Sequence, residues 1–129
     1  MIALDTNIIV RLITEDDPAQ VKRSRALILD RSAFVQSTVL LETEWVLRYS
    51  YGFEKDQIAL AFRMLAQVHA IELACSDRLD AILSSYCDGV DFGDALHLAE
   101  CPVASFASFD RVLAVKSQRF FPDIAVIAP

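Results

Sequence analysis

The chain alternates short apolar runs with longer stretches of helical periodicity, and this alternation restricts the possible folds more than any other feature. Such an order of elements is typical of α/β proteins, in which parallel strands are joined by right-handed helical crossovers. It predicts one central, mainly parallel sheet of four or five strands with helices on both faces. The predicted strands are residues 2–4, 33–36, 71–73, 103–107 and 124–127.

The predicted helices follow from capping residues and from the spacing of apolar side chains. Asp17 and Pro18 suit the cap and first turn of a helix that ends near Arg31. Ser37 or Thr38 caps a long helix, and Ser76 caps a later one. The predicted helices cover residues 7–14, 18–31, 38–49, 54–66, 77–87, 92–100 and, as a single turn, 111–115.

Length and composition indicate one domain that covers residues 1–129. The apolar fraction of 54% exceeds the usual 45–50%, which we attribute to a buried sheet and an apolar surface for another chain. No apolar run reaches the ~18 residues of a membrane span, so no membrane contact is expected. The three cysteines lack CxxC spacing, which favours reduced thiols in the cytoplasm over a disulfide or zinc framework.

Four acidic residues stand where ligands bind in an open α/β sheet. Asp5 closes the first predicted strand and Asp110 closes the fourth, while Glu42 and Asp94 lie in apolar helical segments. Because ligands bind outside the carboxyl ends of parallel strands, we expect these side chains to converge. Gathered carboxylates repel one another unless a cation neutralises them. The sequence therefore predicts a cation site formed by four acids.

The donor set of this predicted site consists of oxygen atoms alone. Oxygen ligands suit Mg²⁺ and Mn²⁺, whose usual substrates carry phosphate, so metal-dependent phosphodiester chemistry is predicted. A cap or turn is the simpler interpretation of Asp5, Asp91 and Asp110, and Thr6 also fits a helix cap. For Asp94 the simple interpretation is a place in the first helical turn, where the helix dipole favours an acid, but it accounts less well for this residue because Asp94 precedes the apolar Ala95 and Leu96.

Two neighbouring glutamates compete for the site, and two other side chains have simple interpretations. Glu42 and Glu44 point to different sides of one helix, and we choose Glu42 because it is nearer the helix start. Glu44 is then expected to face solvent or a partner. Trp45 is expected in the core, and His97 is expected to be packed and hydrogen-bonded rather than catalytic.

The formal charge of −6 argues against a generally basic nucleic-acid binder. However, four of the eighteen acids belong to the predicted site, where divalent ions would offset them. Basic residues form two clusters, which ordinarily are solvated helix faces, so charge alone does not decide the substrate. The clusters are Lys22, Arg23 and Arg25, and Arg111, Lys116 and Arg119.

Five segments, in this order, resemble the PIN-domain ribonucleases, and most closely the VapC toxins of bacterial toxin–antitoxin pairs. The segments are residues 3–7, 39–42, 45–48, 91–99 and 108–110. The resemblance implies that the family's acidic metal residues are Asp5, Glu42, Asp94 and Asp110 in this chain. It also implies supporting roles for Asp91 and for the hydroxyl of Thr6 or Ser108.

The same resemblance implies a Mg²⁺- or Mn²⁺-dependent endoribonuclease that cleaves RNA until a cognate VapB-like antitoxin binds a toxin homodimer. An apolar antitoxin helix would lie in a groove to which Tyr49, Tyr51 and Phe53 could contribute, as could Trp45 if it lies outside the core. Two alternatives stay open. A haloacid-dehalogenase-like phosphatase needs a second acid where this chain has Asn7, and a non-catalytic PIN-like interaction module would keep only the fold.

Overall fold

The computed structural model describes all residues from Met1 to Pro129 and contains two parallel sheets. Each strand pairs with its neighbours in parallel, as the α/β pattern predicts. The three-stranded sheet has the order β1-β2-β3, and β4 pairs with β5. The strands are β1 (Ile2–Ala3), β2 (Ala33–Val35), β3 (Ile71–Leu73), β4 (Ser105–Ala107) and β5 (Ala125–Ile127).

The prediction of one sheet with four or five strands is wrong, because the strands divide into sheets of three and two. Each strand has only two or three residues, so each offers few ladder hydrogen bonds. The fourth strand begins at Ser105 rather than at Val103, since residues 102–104 form a bend. Pro102 contributes to this bend because it lacks the N–H that a ladder needs.

The chain divides into two compact units, Met1–Ser76 (the first unit) and Asp77–Pro129 (the second unit). A 3-10 turn, Ser76–Arg78, leads into the second unit. The helices of the first unit are α1 (Thr6–Thr14), α2 (Pro18–Arg31), α3 (Ser37–Ser50) and α4 (Lys55–Ala66). Those of the second unit are α5 (Leu79–Cys87), α6 (Phe92–Ala99) and α7 (Arg111–Phe120).

The sheet of the first unit brings the starts of α1 and α3 to the same edge. β1 and β2 are parallel neighbours with Ile2 opposite Ala33, and each leads within a few residues into the next helix. α1 then packs against both α2 and α3. Apolar side chains without solvent exposure fill this unit, among them Ile9, Val35, Leu40, Leu47, Ile58 and Phe62.

The second unit has its own apolar core, in which α5 packs against α6 and α7. Tyr86 meets Phe92 edge to face, with ring centroids 5.3 Å apart, and Leu83 and Phe121 are fully buried. β4 leads directly into the start of α7 through Ser108–Asp110. No helix in the structure is at once long enough and apolar enough to cross a membrane.

The ends of the helices confirm some predicted caps and correct others. Asp17 caps α2 as predicted, since its carboxylate accepts the Gln20 N–H at 3.1 Å. The cap of α3 is Gln36 rather than Ser37 or Thr38. Ser76 does not cap α5, because a 3-10 turn intervenes between them.

The last helix, α7, is much longer than predicted. It has ten residues rather than a single turn. Asp110 caps it, and buried Leu113 and Ser117 recur at helical spacing on its inner side. The polar run that follows Val115 therefore continues the helix instead of forming a loop.

Candidate active site

Asp5 sits at the cap position of α1 with its carboxylate unused. Its backbone carbonyl accepts the N–H of Ile8 at 3.1 Å and that of Ile9 at 3.4 Å. The side chain is exposed and makes no capping hydrogen bond. An aspartate at a cap ordinarily accepts an N–H of the first turn. The Asp5 carboxylate is therefore available to a ligand.

The hydroxyl of Thr6 is buried without a hydrogen-bond partner. Thr6 is 6% exposed, and its Oγ1 atom is the one buried side-chain polar atom that has no partner. Leaving a buried hydroxyl unsatisfied costs about 1–3 kcal/mol. Because Thr6 directly follows Asp5, this unsatisfied oxygen lies where the sequence predicts the metal site.

The two glutamates of α3 differ in exposure. Glu42 is exposed, whereas Glu44 is only 2% exposed. Arg48 binds Glu44 through Nε to Oε2 at 2.7 Å and through Nη2 to Oε1 at 3.3 Å. The prediction that Glu44 faces solvent or a partner is therefore wrong. Helical spacing from Leu40 and Leu47 was the available signal, since both lie on the buried side of α3.

Three aspartates of the second unit lie at the starts of α6 and α7. Asp91 caps α6 by accepting the Asp94 N–H at 3.3 Å, and Asp110 caps α7 by accepting the Leu113 N–H at 3.0 Å. Ser108 accepts the Asp110 N–H at 3.0 Å through its hydroxyl oxygen. The simple capping interpretation is thus correct for Asp91 and Asp110. Each cap uses one carboxylate oxygen.

Asp94 is the acid of the predicted site whose ionised form is disfavoured by its surroundings. Partial burial raises the pKa of Asp94, and the negative charges of Asp91 and Asp110 raise it further, whereas His97 lowers it. Like charges disfavour ionisation of a carboxyl group, and a nearby cation would reverse the effect. The second unit therefore concentrates negative charge around Asp94.

His97 differs from its expected packing, and Trp45 is not in the core. The His97 side chain is exposed, and its ring stacks on Phe106 with centroids 6.3 Å apart. Trp45 is 56% exposed on α3, so its predicted place in the core is wrong. It contacts Tyr49, with ring centroids 5.2 Å apart.

A polar groove between α1 and α2 was not anticipated from the sequence. Asn7 and Arg11 line it from α1, and Gln20, Arg23 and Ser24 line it from α2. The only sequence signal was the four-residue spacing of Asn7 and Arg11, which places both on one face of a helix. The groove begins two residues after Asp5.

The oxygen donors present suit a divalent cation. The first unit offers Asp5 and Glu42, both exposed, beside the unsatisfied Thr6 hydroxyl, and the second offers Asp94 in a negative field. Carboxylate and hydroxyl oxygens are ligands that Mg²⁺ and Mn²⁺ prefer. In neither unit by itself do three or more His, Cys, Asp or Glu side chains form a metal-binding group. The four-acid site stays a prediction.

Comparison with protein families matches the chain to the PIN domain over residues 2–115. Neither the curated proteins nor the solved structures contain a protein that matches the chain. PIN domains are generally metal-dependent nucleases that act on RNA, which favours nuclease activity over the phosphatase alternative. The matched region contains every residue assigned to the predicted site, and it covers most of the chain. This chain belongs to the PIN-domain family.

Proposed function

We propose that the chain is a Mg²⁺- or Mn²⁺-dependent endoribonuclease of the VapC toxin type. The observation that carries this proposal is the PIN-family match over residues 2–115, within which all four predicted acids lie. The raised pKa of Asp94 adds support, because it marks a place where a cation would be stabilised. The three cysteines are thiols, in keeping with a cytoplasmic location.

In this proposal Asp5, Glu42, Asp94 and Asp110 are the catalytic residues and hold the metal. A bound divalent ion supplies charge neutralisation for a phosphate oxygen and lowers the pKa of a water molecule. Supporting residues position these acids. Asp91 fixes the backbone of Asp94, Ser108 fixes that of Asp110, and Thr6 offers its unsatisfied hydroxyl.

The direct test is cleavage of single-stranded RNA by the purified chain under metal control. We expect no cleavage after dialysis against EDTA, full recovery with Mg²⁺ or Mn²⁺, and no recovery with Zn²⁺, because the donors are all oxygen. Cleavage products separated on a denaturing gel provide the measurement. Activity that persists after chelation would contradict the metal-dependent mechanism.

An exposed apolar strip on α3 supports the proposed homodimer. Leu41, Trp45 and Tyr49 follow one another at four-residue spacing, and all three are exposed. A convex apolar strip of this kind fits the same strip of a second copy about a two-fold axis. We therefore assign Trp45 and Tyr49 to the dimer contact rather than to an antitoxin groove.

A second apolar surface of the first unit supports the proposed VapB-like antitoxin. α1, α2 and α4 border a groove of about 570 Å³, with Ile13, Leu29, Met64 and Val68 among its lining. A concave apolar groove fits the apolar face of an amphipathic helix. Arg25 and Glu15, which form an ion pair with each other, also lie in this lining and add a polar edge to the apolar groove.

Light scattering coupled to size-exclusion chromatography tests both partners. We expect a dimer for the free chain, and a larger, cleavage-inactive complex after coexpression with the short reading frame immediately upstream. A disordered antitoxin segment must offset its ordering entropy, so the complex should bury a large apolar area. A monomeric chain whose genomic neighbour neither binds nor inhibits it would refute both assignments.

A further inference from the structure

The groove between α1 and α2 is suited to bind an anion. It has a volume of about 560 Å³, within the range of small-ligand pockets. Polar side chains from both helices face it, and no acidic side chain lines it, although the chain carries a net charge of −6. Two guanidinium groups, those of Arg11 and Arg23, belong to its lining.

Arg11 is held in place before any ligand arrives. Its Nε donates to Gln20 at 2.8 Å, and its Nη1 donates to both carboxylate oxygens of Asp16 and to the Tyr51 hydroxyl. None of these hydrogen bonds uses Nη2. The Tyr51 hydroxyl donates to Asp16 at 2.7 Å and lowers the pKa of that carboxyl group. A fixed guanidinium loses little conformational entropy when its remaining N–H groups bind an oxyanion.

Arg23 adds a second positive charge to the groove. This addition matters because the charge of Arg11 is partly neutralised by its ion pair with Asp16. It is exposed on α2 and makes no ion pair. By contrast, Arg25 on the same helix is bound to Glu15. Guanidinium groups bind phosphate oxygens through paired hydrogen bonds, so an arginine without an ion pair in the same groove as a fixed one favours a bound phosphate group there.

The groove also lies close to a predicted metal ligand. Asn7 is in the first turn of α1, which Asp5 caps, and the N-terminus of a helix attracts anions. Arg11 lies six residues after Asp5, or roughly 9 Å along the helix at 1.5 Å per residue. A polyanion held at Asp5 through a bound divalent cation would therefore come within reach of the groove.

From these features we infer that the α1–α2 groove binds backbone phosphates of the RNA substrate next to the cleaved bond. The inference rests on the proposed nuclease function, to which it adds a substrate-binding subsite. Arg11 and Arg23 contact the phosphate, and Asn7 and Gln20 provide further hydrogen-bonding groups. Such contacts hold the RNA in position without reading its sequence.

The test compares two charge-removing variants on neighbouring residues of α2. Arg23→Gln removes the groove cation, and the matched control Lys22→Gln removes an exposed cation that does not line this groove. Binding of fluorescent single-stranded RNA is measured by anisotropy over a salt series, with Asp94→Asn present to prevent cleavage. Arg23→Gln should raise Kd roughly tenfold, as for one lost charged hydrogen bond. It should also lower the salt slope by about 0.7, whereas Lys22→Gln should raise Kd less than about twofold.

Kinetics give an independent measure of the same contact. In the background that retains Asp94, Arg23→Gln should raise KM for RNA and leave kcat nearly unchanged, because a contact to a neighbouring phosphate that does not itself react stabilises ground state and transition state alike. A fall in kcat at unchanged KM would overturn the subsite.

The remaining outcomes separate the inference from the proposed function. Equal effects of the two substitutions on RNA affinity would overturn the subsite and leave the nuclease assignment intact. Unchanged RNA affinity with weakened binding of a protein partner would assign the groove to that partner and overturn the inference. A folded chain that neither binds nor cleaves RNA would overturn both.

Discussion

The Asp94→Asn variant should lose RNA cleavage by at least about a hundredfold while it stays folded. The proposed metal ligand is removed, and loss of even an outer-shell partner of a metal site costs 10–100-fold. Stability should not fall at neutral pH, because burial and the charges of Asp91 and Asp110 already disfavour the ionised carboxylate. Gel-based cleavage and thermal melting of the same samples provide the two measurements.

The pH dependence of this variant follows from the sign of the pKa shift. The folded-state pKa of Asp94 is raised, so its ionised form costs stability above that pKa, and the cost disappears as the pH falls through it. The gain in melting temperature from Asp94→Asn should therefore be largest near pH 7 and shrink on acidification. Asp30→Asn, on an exposed carboxylate of α2, serves as the control. It should change neither the RNA cleavage activity nor the dependence of the melting temperature on pH. Full cleavage by folded Asp94→Asn protein would exclude Asp94 from the site.

Removal of the Arg48 side chain should cause a large loss of stability. Arg48→Met leaves the Glu44 carboxylate, 2% exposed, without its two-point ion pair. Breaking a buried pair costs 3–5 kcal/mol, and because the Arg48 side chain is 31% exposed we expect about 2–3 kcal/mol here. Urea unfolding followed by circular dichroism measures the loss.

A second substitution distinguishes the effect of the buried Glu44 charge from the effect of lost Arg48 packing. Glu44→Gln combined with Arg48→Met should recover most of the stability, since the double variant no longer carries the negative charge of the buried Glu44. Arg31→Met, on an exposed arginine at the end of α2, should change the free energy of unfolding by less than about 0.5 kcal/mol. If the double variant is as unstable as Arg48→Met, packing rather than charge explains the effect.

The sequence predicted the local elements better than their assembly. Asp17 and Pro18 set the start of α2 as predicted, because a cap and a first-turn proline act through neighbouring atoms. The grouping of strands depends instead on how many ladder bonds each strand can make. With strands of two or three residues, hydrophobic runs alone could not show that five strands divide into sheets of three and two.

Two errors within the site region concern α3. Glu44 is predicted at the surface because Glu42, nearer the helix start, is chosen for the site, and Trp45 is predicted in the core, whereas the structure buries Glu44 and exposes Trp45. The polar residues after Val115 concealed the length of α7. The groove cations Arg11 and Arg23 could not be paired from the sequence, since their meeting depends on how α1 packs against α2.

At the start of α1, the residue that would give the highest thermal stability differs from the residue that the proposed activity needs. Asp5 occupies a cap position but gives its helix no side-chain hydrogen bond. A serine hydroxyl turned toward the first-turn amides would add about 1 kcal/mol to stability. A screen that rewards melting temperature alone would therefore enrich Asp5→Ser and discard a proposed metal ligand. Engineered libraries of this fold should hold that position constant.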